Sequence, residues 1–171
     1  MAKRDYQNEF LSIELKEKAF LDFTGLSVIK NRELFKQAMT CVDFAQKYED
    51  ITKKIVLNNK SIAIIGDAVL TLALTLIAFE NDKAIKPEKV AIFNQPKEKN
   101  EYLGIIGKEQ NIINMIFASN EDYVVGGIAT AYEAIIAFVF MEYGIKAVQK
   151  FVEKNILNYE YLTEINEPIR C

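Results

Sequence analysis

The sequence predicts an all-α fold, one domain built around two long apolar helices. Three observations predict it. Apolar residues recur at three- and four-residue spacing along most of the chain. No segment alternates apolar and polar residues in the manner of a strand; Val124-Val125 lies in a helical context. Half of the 171 residues are hydrophobic, including 11 Phe and 8 Tyr, so one domain can bury a core without disulfides.

The elements follow in order. Residues 8–22 carry Phe10, Leu11, Ile13, Leu15, Ala19 and Phe20 among charges, an amphipathic helix. Asn31 is placed to cap a second helix, whose apolar positions are Leu34, Phe35, Ala38, Met39, Val42 and Ala45. Residues 60–80 are almost all apolar and form a central helix. Pro87 and Pro96 each suit the first turn of a helix, so 81–96 is a loop or short helical pieces. Short helices are expected over 97–109 and 111–117, with Gly104 and Gly107 marking irregularity. Ser119 or Asn120 can cap a long helix over 121–143, with Glu121 and Asp122 favourable in its first turn and Gly126 and Gly127 weakening it. Gly144 ends that helix, 145–154 begins another, and 157–171 is a short tail. No repeat, low-complexity segment or linker divides residues 1–171.

Composition excludes several chemistries. There is no histidine, which removes Ser-His and Cys-His nucleophiles and the usual His-bearing zinc sites. Cys41 and Cys171 have neither metal-ligand spacing nor a disulfide framework, and a reducing, cytoplasmic setting is expected. Net charge is −3, without a basic tail, so any nucleic-acid partner must be held by a local patch or a metal. The N-terminus lacks the apolar core of a signal peptide. Ile62 to Phe79 is an 18-residue apolar run that invites a membrane reading. Asp67 inside it, with Thr71 and Thr75, favours a buried core helix instead.

Two acidic residues stand out. Asp67 lies in Ile64-Ile65-Gly66-Asp67-Ala68-Val69-Leu70 and Glu133 in Ala129-Thr130-Ala131-Tyr132-Glu133-Ala134. Each is a single carboxylate in an apolar stretch, expected to be buried and to need a partner. On helices, Asp67 shares a face with Ala63 and Lys60, and Glu133 with Thr130. If the two central helices pack antiparallel, Asp67 and Glu133 approach each other near the middle of the domain. Two carboxylates completed by water and phosphate suit Mg²⁺, which keeps much of its hydration shell.

These blocks resemble a known family. Ile64 to Leu70 is similar to the Phe-Leu-Gly-Asp-Ala-Val-Leu heart of the ribonuclease III signature. Ala131 to Val152 looks like that family's second acidic helix and the helix after it. Glu33-Leu34-Phe35-Lys36-Gln37-Ala38-Met39-Thr40 resembles its first conserved helix, with Cys41 where the family usually has His. The three blocks keep the family's order and spacing within residues 30–155. The resemblance implies a dimeric ribonuclease III-like helical domain, with Asp67 and Glu133 as ligands of Mg²⁺ (or Mn²⁺). It departs from the family at three usually acidic positions, occupied here by Lys60, Ala63 and Thr130. Ala63 and Thr130 match the reduced pattern of the short Mini-III type, which also lacks a double-stranded-RNA-binding domain; residues after 155 leave no room for one. The basic stretch that Mini-III places before its second acidic motif is replaced by Ile116-Phe117-Ala118-Ser119-Asn120-Glu121-Asp122.

The resemblance implies a homodimeric, magnesium-dependent endoribonuclease acting on structured, double-stranded RNA. In it, Asp67, Glu133 and Thr130 are the catalytic positions, Thr130 orienting a water. The hydrophobic segment 134–151 is the expected dimer surface. The alternative is a degenerate ribonuclease III-like module that binds RNA or scaffolds a ribonucleoprotein, with Lys60 standing in a missing metal's place and neutralising Asp67. A third reading is a helical dimer unconnected with RNA. Plainer roles stand beside the sharp ones. Asp67 can cap a kink after Gly66 or pair with Lys60. Thr130 can bond a carbonyl one turn back. Phe138, Phe140, Tyr143 and Phe151 suit core or dimer packing. Lys83, Lys86, Lys89, Lys97, Lys99 and Lys108 suit a solvated face or, less simply, an RNA-phosphate rim.

Overall fold

The computed structural model describes residues 5–11, 13–95, 97–119 and 125–158. Nine α-helices are found among them: α1 (Tyr6–Leu11), α2 (Glu14–Thr24), α3 (Arg32–Met39), α4 (Val42–Thr52), α5 (Lys60–Asn81), α6 (Pro87–Asn94), α7 (Asn100–Glu109), α8 (Val125–Tyr143) and α9 (Ile145–Val152). A 3₁₀ turn occupies Ile112–Asn114, and a π turn, Glu153–Leu157, extends α9. The fold is all-α, as the periodicity predicts; the described residues contain no strand, only an isolated parallel bridge between Thr40 and Phe117.

The N-terminal half departs from the predicted boundaries. The expected helix over 8–22 is two helices, α1 and α2, because Phe10 must reach one cluster and Phe20 another. Phe10 packs on Phe44, Tyr48 and Phe117 with centroids 5.1–6.0 Å apart. Phe20 meets Phe35 and Phe138 edge-on at 5.1 and 5.2 Å. Asn31 caps α3 as expected, its side chain accepting from Leu34 N at 3.0 Å. That helix does not continue to Ala45. Thr40 and Cys41 are extended. Their main chain pairs with the segment after the 3₁₀ turn: Phe117 N donates to Met39 O at 2.7 Å and Cys41 N to Phe117 O at 2.9 Å. These tertiary hydrogen bonds replace helical ones, which apolar periodicity cannot report. The same bonds leave a single 3₁₀ turn, then extended chain, where a helix over 111–117 was expected.

That elbow sets the start of the central helix. Asn59, fully buried, donates its backbone N–H to Thr40 O at 2.8 Å and immediately precedes α5. α5 and α8 form the most extensive helix pair. Both are long and apolar enough to cross a membrane, yet each turns an apolar face into the core. Ala134 to Val139 are all buried inside the domain, so the expectation of a dimer surface over 134–151 fails for this stretch. Phe138 and Phe151 are core residues. Exposed apolar side chains lie on α5 instead, where Ile64 is 72% exposed, Leu72 46% and Phe79 47%.

α7 closes the other side of α8. Gly104 and Gly107 sit in a regular helix rather than at an irregularity. A Cβ on Gly107 would fall 2.7 Å from Ile128 Cγ2 and 3.1 Å from Tyr132 Cδ2, and one on Gly104 would overlap Val125. These glycines are therefore required by close helix packing. Gly144 ends α8 with φ +77°, a conformation that favours glycine. α9 returns toward α5, where Lys146 pairs with Glu80 at 2.6 Å. Ser119 does not have its hydroxyl free for capping: both its N–H and its hydroxyl donate to Asp43 Oδ2. Pro96, Asn120, Glu121, Asp122 and the tail from 159 lie outside the described residues.

Candidate active site

α5 contributes Lys60, Ala63, Ile64 and Asp67 to one face, α8 contributes Thr130 and Glu133, and the start of α7 with the residues before it contributes Glu98, Lys99, Asn100 and Glu101. Together they line a cavity of about 670 Å³. Helical periodicity accounts for the first two sets: residues three, four and seven apart share a face. The third set is brought in by tertiary structure. It is anchored from behind by buried Asn94, whose side chain donates to Thr75 Oγ1 at 3.0 Å and whose carbonyl accepts from Lys97 N and Glu98 N at 2.9 and 3.2 Å.

Glycine brings the two acidic motifs together. Gly66 is packed against the main chain of Glu133, so α5 and α8 are in backbone contact one residue before Asp67. The Glu133 carboxyl is partly buried. Burial first, and the nearby Asp67 charge second, push it up to about 7. Asp67 itself is exposed, which corrects the expectation that both carboxylates are buried. It faces an open, water-accessible cleft and has no capping role: no hydrogen bond or ion pair of Asp67 or Glu133 is found among the described residues.

Lys60 lines the same cavity without forming an ion pair to Asp67, so the expected neutralising pair is absent. Thr130 behaves as the plain reading holds, donating to Gly126 O at 3.0 Å, while its side chain also lines the cavity. Of the six lysines in the mixed-charge region, Lys99 reaches the site. Lys97 folds back on Phe93, donating to its carbonyl at 2.6 Å and lying 4.3 Å above its ring, and Lys83 lies over Phe79. Sequence reading missed Glu98, Asn100 and Glu101. Their run Lys97-Glu98-Lys99-Asn100-Glu101 has the composition of any solvated surface, and no local signal marks it.

The acidic donors are all oxygen, two carboxylates without an ion pair among the described residues, in a cavity that Lys60 and Lys99 also line and that has room for water. That suits a hard, hydrated divalent ion and no soft metal. Among the described residues no three acidic, histidine or cysteine side chains are grouped to hold an ion by themselves.

The two core helices of this all-α domain thus enclose a cleft lined by carboxylates and two lysines. No family model matches the chain. It is 26% identical over 153 residues to ribonuclease 3 of Rickettsia prowazekii (strain Madrid E), an alignment spanning 81% of this chain and 67% of that protein. The corresponding enzyme of Rickettsia rickettsii (strain Sheila Smith) is also 26% identical, with 81% and 66% covered. The chain thus spans about two thirds of the length of these relatives. Two solved structures of the nuclease domain of ribonuclease III from Campylobacter jejuni superpose with a TM-score of 0.66 at 19% identity, one covering 82% of this chain and 98% of that domain, the other 85% and 97%. The first is described as flexible in a region involved in dimer formation. The chain is thus similar to ribonuclease 3 enzymes in sequence and shares the fold of the ribonuclease III nuclease domain; neither likeness singles out the Mini-III type.

Proposed function

We propose that this chain is a divalent-metal-dependent endoribonuclease that cleaves structured, double-stranded RNA. One observation carries the reading. Asp67 and Glu133, from two different helices, line one cavity with no ion pair or hydrogen-bond donor to either side chain among the described residues, and burial first, then the Asp67 charge, push Glu133 up to about 7. Such a pair is unfavourable in the protein alone and favourable around a cation. The relatives named ribonuclease 3 support RNA endonuclease chemistry.

Asp67 and Glu133 are the residues that would hold Mg²⁺, or Mn²⁺ in its place, with water and RNA phosphate completing the shell. When bound, the ion supplies activation of water and neutralisation of charge on the phosphodiester. The chain's own groups do the positioning. Thr130 spends its hydroxyl proton on Gly126 O and so presents lone pairs that can accept from a water beside Glu133. Ala63 leaves space where the family carries a carboxylate. Exposed Lys60 and Lys99 flank the carboxylates and can attract the phosphate backbone.

The outer face of α5 supports a homodimer. Ile65, Ala68, Leu72, Leu76 and Phe79 recur at three- and four-residue spacing along one stripe that is exposed or half-exposed in the single chain. Beside its end is an apolar cavity between α5 and α6, lined by Leu76, Phe79, Ile85 and Val90. Two copies joined there would cover the stripe and present two sites to one duplex. Cys41 is buried and in no disulfide among the described residues, which supports a reducing, cytoplasmic setting.

The test is cleavage of a long duplex RNA by the purified chain in Mg²⁺ or Mn²⁺, beside Asp67→Asn and Glu133→Gln. Cleavage by the wild type that both variants lose supports the proposal. Equal cleavage by all three proteins sinks it. A folded dimer that binds duplex RNA and cuts nothing would place the chain with the degenerate, RNA-binding reading.

A further inference from the structure

We propose that Glu98, in the segment joining α6 to α7, is a further carboxylate of the cation site, contacting the ion's hydration shell and adding negative charge to that of Asp67 and Glu133. The inference rests on the reading of this cavity as a divalent-cation site.

Glu98 lines the same cavity as Asp67 and Glu133. One of its carboxylate oxygens, Oε1, is sheltered from solvent and has no hydrogen-bond partner. A sheltered carboxylate oxygen without a donor is costly, and in a folded protein it calls for a water, an ion or a cation nearby. Among the described residues no side chain donates to it. The adjacent Lys97 is committed to Phe93, both through its carbonyl and over its ring. No ion pair joins Glu98 to Lys60 or Lys99 among the described residues. The main chain at Glu98 is fixed, its N–H donating to the carbonyl of buried Asn94 at 3.2 Å, so the carboxylate is presented by an anchored backbone.

Neighbouring Glu101 differs. It is exposed and lies in the first turn of α7, where the helix dipole already favours a negative charge. Glu98 has no such explanation. Among the described residues no three carboxylates are grouped as a direct cage. A place outside the inner ligands agrees with that spacing, because Mg²⁺ and Mn²⁺ sites with few protein ligands retain waters that need acceptors. Outer carboxylates of this kind commonly change metal affinity by about 10- to 100-fold.

The test is titration of Mn²⁺ into the metal-free chain, followed by the loss of its free electron-spin resonance signal. Wild type, Glu98→Gln, Glu101→Gln and Asp67→Asn are compared, each first shown by its melting curve to be folded without metal. The expected result is saturable binding by wild type, its loss in Asp67→Asn, a Kd raised about tenfold or more in Glu98→Gln, and a Kd within about twofold of wild type in Glu101→Gln. Unchanged affinity in Glu98→Gln, with binding still lost in Asp67→Asn, overturns the role of Glu98 and leaves the site standing. An equal weakening in Glu101→Gln also overturns it, since general rim charge would then be the cause. No saturable binding by wild type, or equal binding by Asp67→Asn, overturns the cation site and the inference with it.

Discussion

Gly66 of α5 lies directly against the main chain of Glu133 of α8: a Cβ built on Gly66 would fall 2.5 Å from the Glu133 carbonyl carbon, 3.0 Å from its Cα and closer still to its oxygen. No real side chain tolerates that. The contact fixes where the two helices meet, and Asp67, the next residue, is thereby held beside Glu133. The glycine of the Gly-Asp-Ala step is thus a packing requirement for the site, quite apart from any backbone freedom.

Gly66→Ala should therefore force α5 and α8 apart. The clash is with backbone, which cannot swing aside, so a loss of about 3 kcal/mol is expected, or a melting temperature lower by roughly 6–12 °C for a chain of this size. Thermal melting followed by circular dichroism checks it. A variant that melts within a degree or two of wild type would show that the helices have slack at this point.

Glu133 makes stability depend on pH in a stated direction. Its carboxyl is raised from 4.5 to about 7 in the fold. Between those values the folded chain holds a proton that the unfolded chain has released, so the group's contribution is greatest below about 4.5 and is lost as pH rises through about 7. In metal-free buffer, Glu133→Gln should match wild type near pH 4 and exceed it at pH 8. The excess should be about 1–2 kcal/mol, less than the full shift implies because the carboxyl is partly screened by solvent. Urea denaturation at the two pH values measures it. Equal stability at both would mean that burying Glu133 beside Asp67 carries no penalty.

Mg²⁺ or Mn²⁺ should remove the same penalty. At 100 times its Kd an ion that binds only the folded chain stabilises it by about 2.7 kcal/mol. The rise in melting temperature should appear above pH 7, shrink below pH 5 as protons compete for the carboxylates, and vanish in Asp67→Asn. A rise of the same size in Asp67→Asn would assign it to ions bound elsewhere.

Leu72→Glu and Phe79→Glu should separate the copies without unfolding either. Both side chains are about half exposed in the single chain, so a charge there costs little in the monomer and much in an interface. Analytical ultracentrifugation should give a dimer for wild type and a monomer for each variant, with unchanged helical content. A monomeric wild type would remove the outer face of α5 as an assembly surface.

Three- and four-residue apolar spacing determined by itself that the chain is all-α, that 60–80 is a central helix and that a second apolar helix ends at Gly144. The same spacing put Asp67 with Lys60 and Ala63, and Glu133 with Thr130, because residues on one helical face are fixed by the pitch alone. Local pattern also identified Asn31 as a cap, since that bond spans only three residues. Tertiary structure decided the rest. It split two predicted helices, one into α1 and α2 and the other at Thr40–Cys41, the latter where main-chain bonds to Phe117 outweigh helical ones. It turned residues 134–139 into core and left the α5 stripe exposed, because apolar periodicity marks a face without saying what covers it. It exposed Asp67 while burying much of Glu133, and it ruled out the Lys60 pair. And it carried Glu98 to the site from a segment whose composition is that of ordinary surface, since long-range placement depends on how helices pack and leaves no mark in the local sequence.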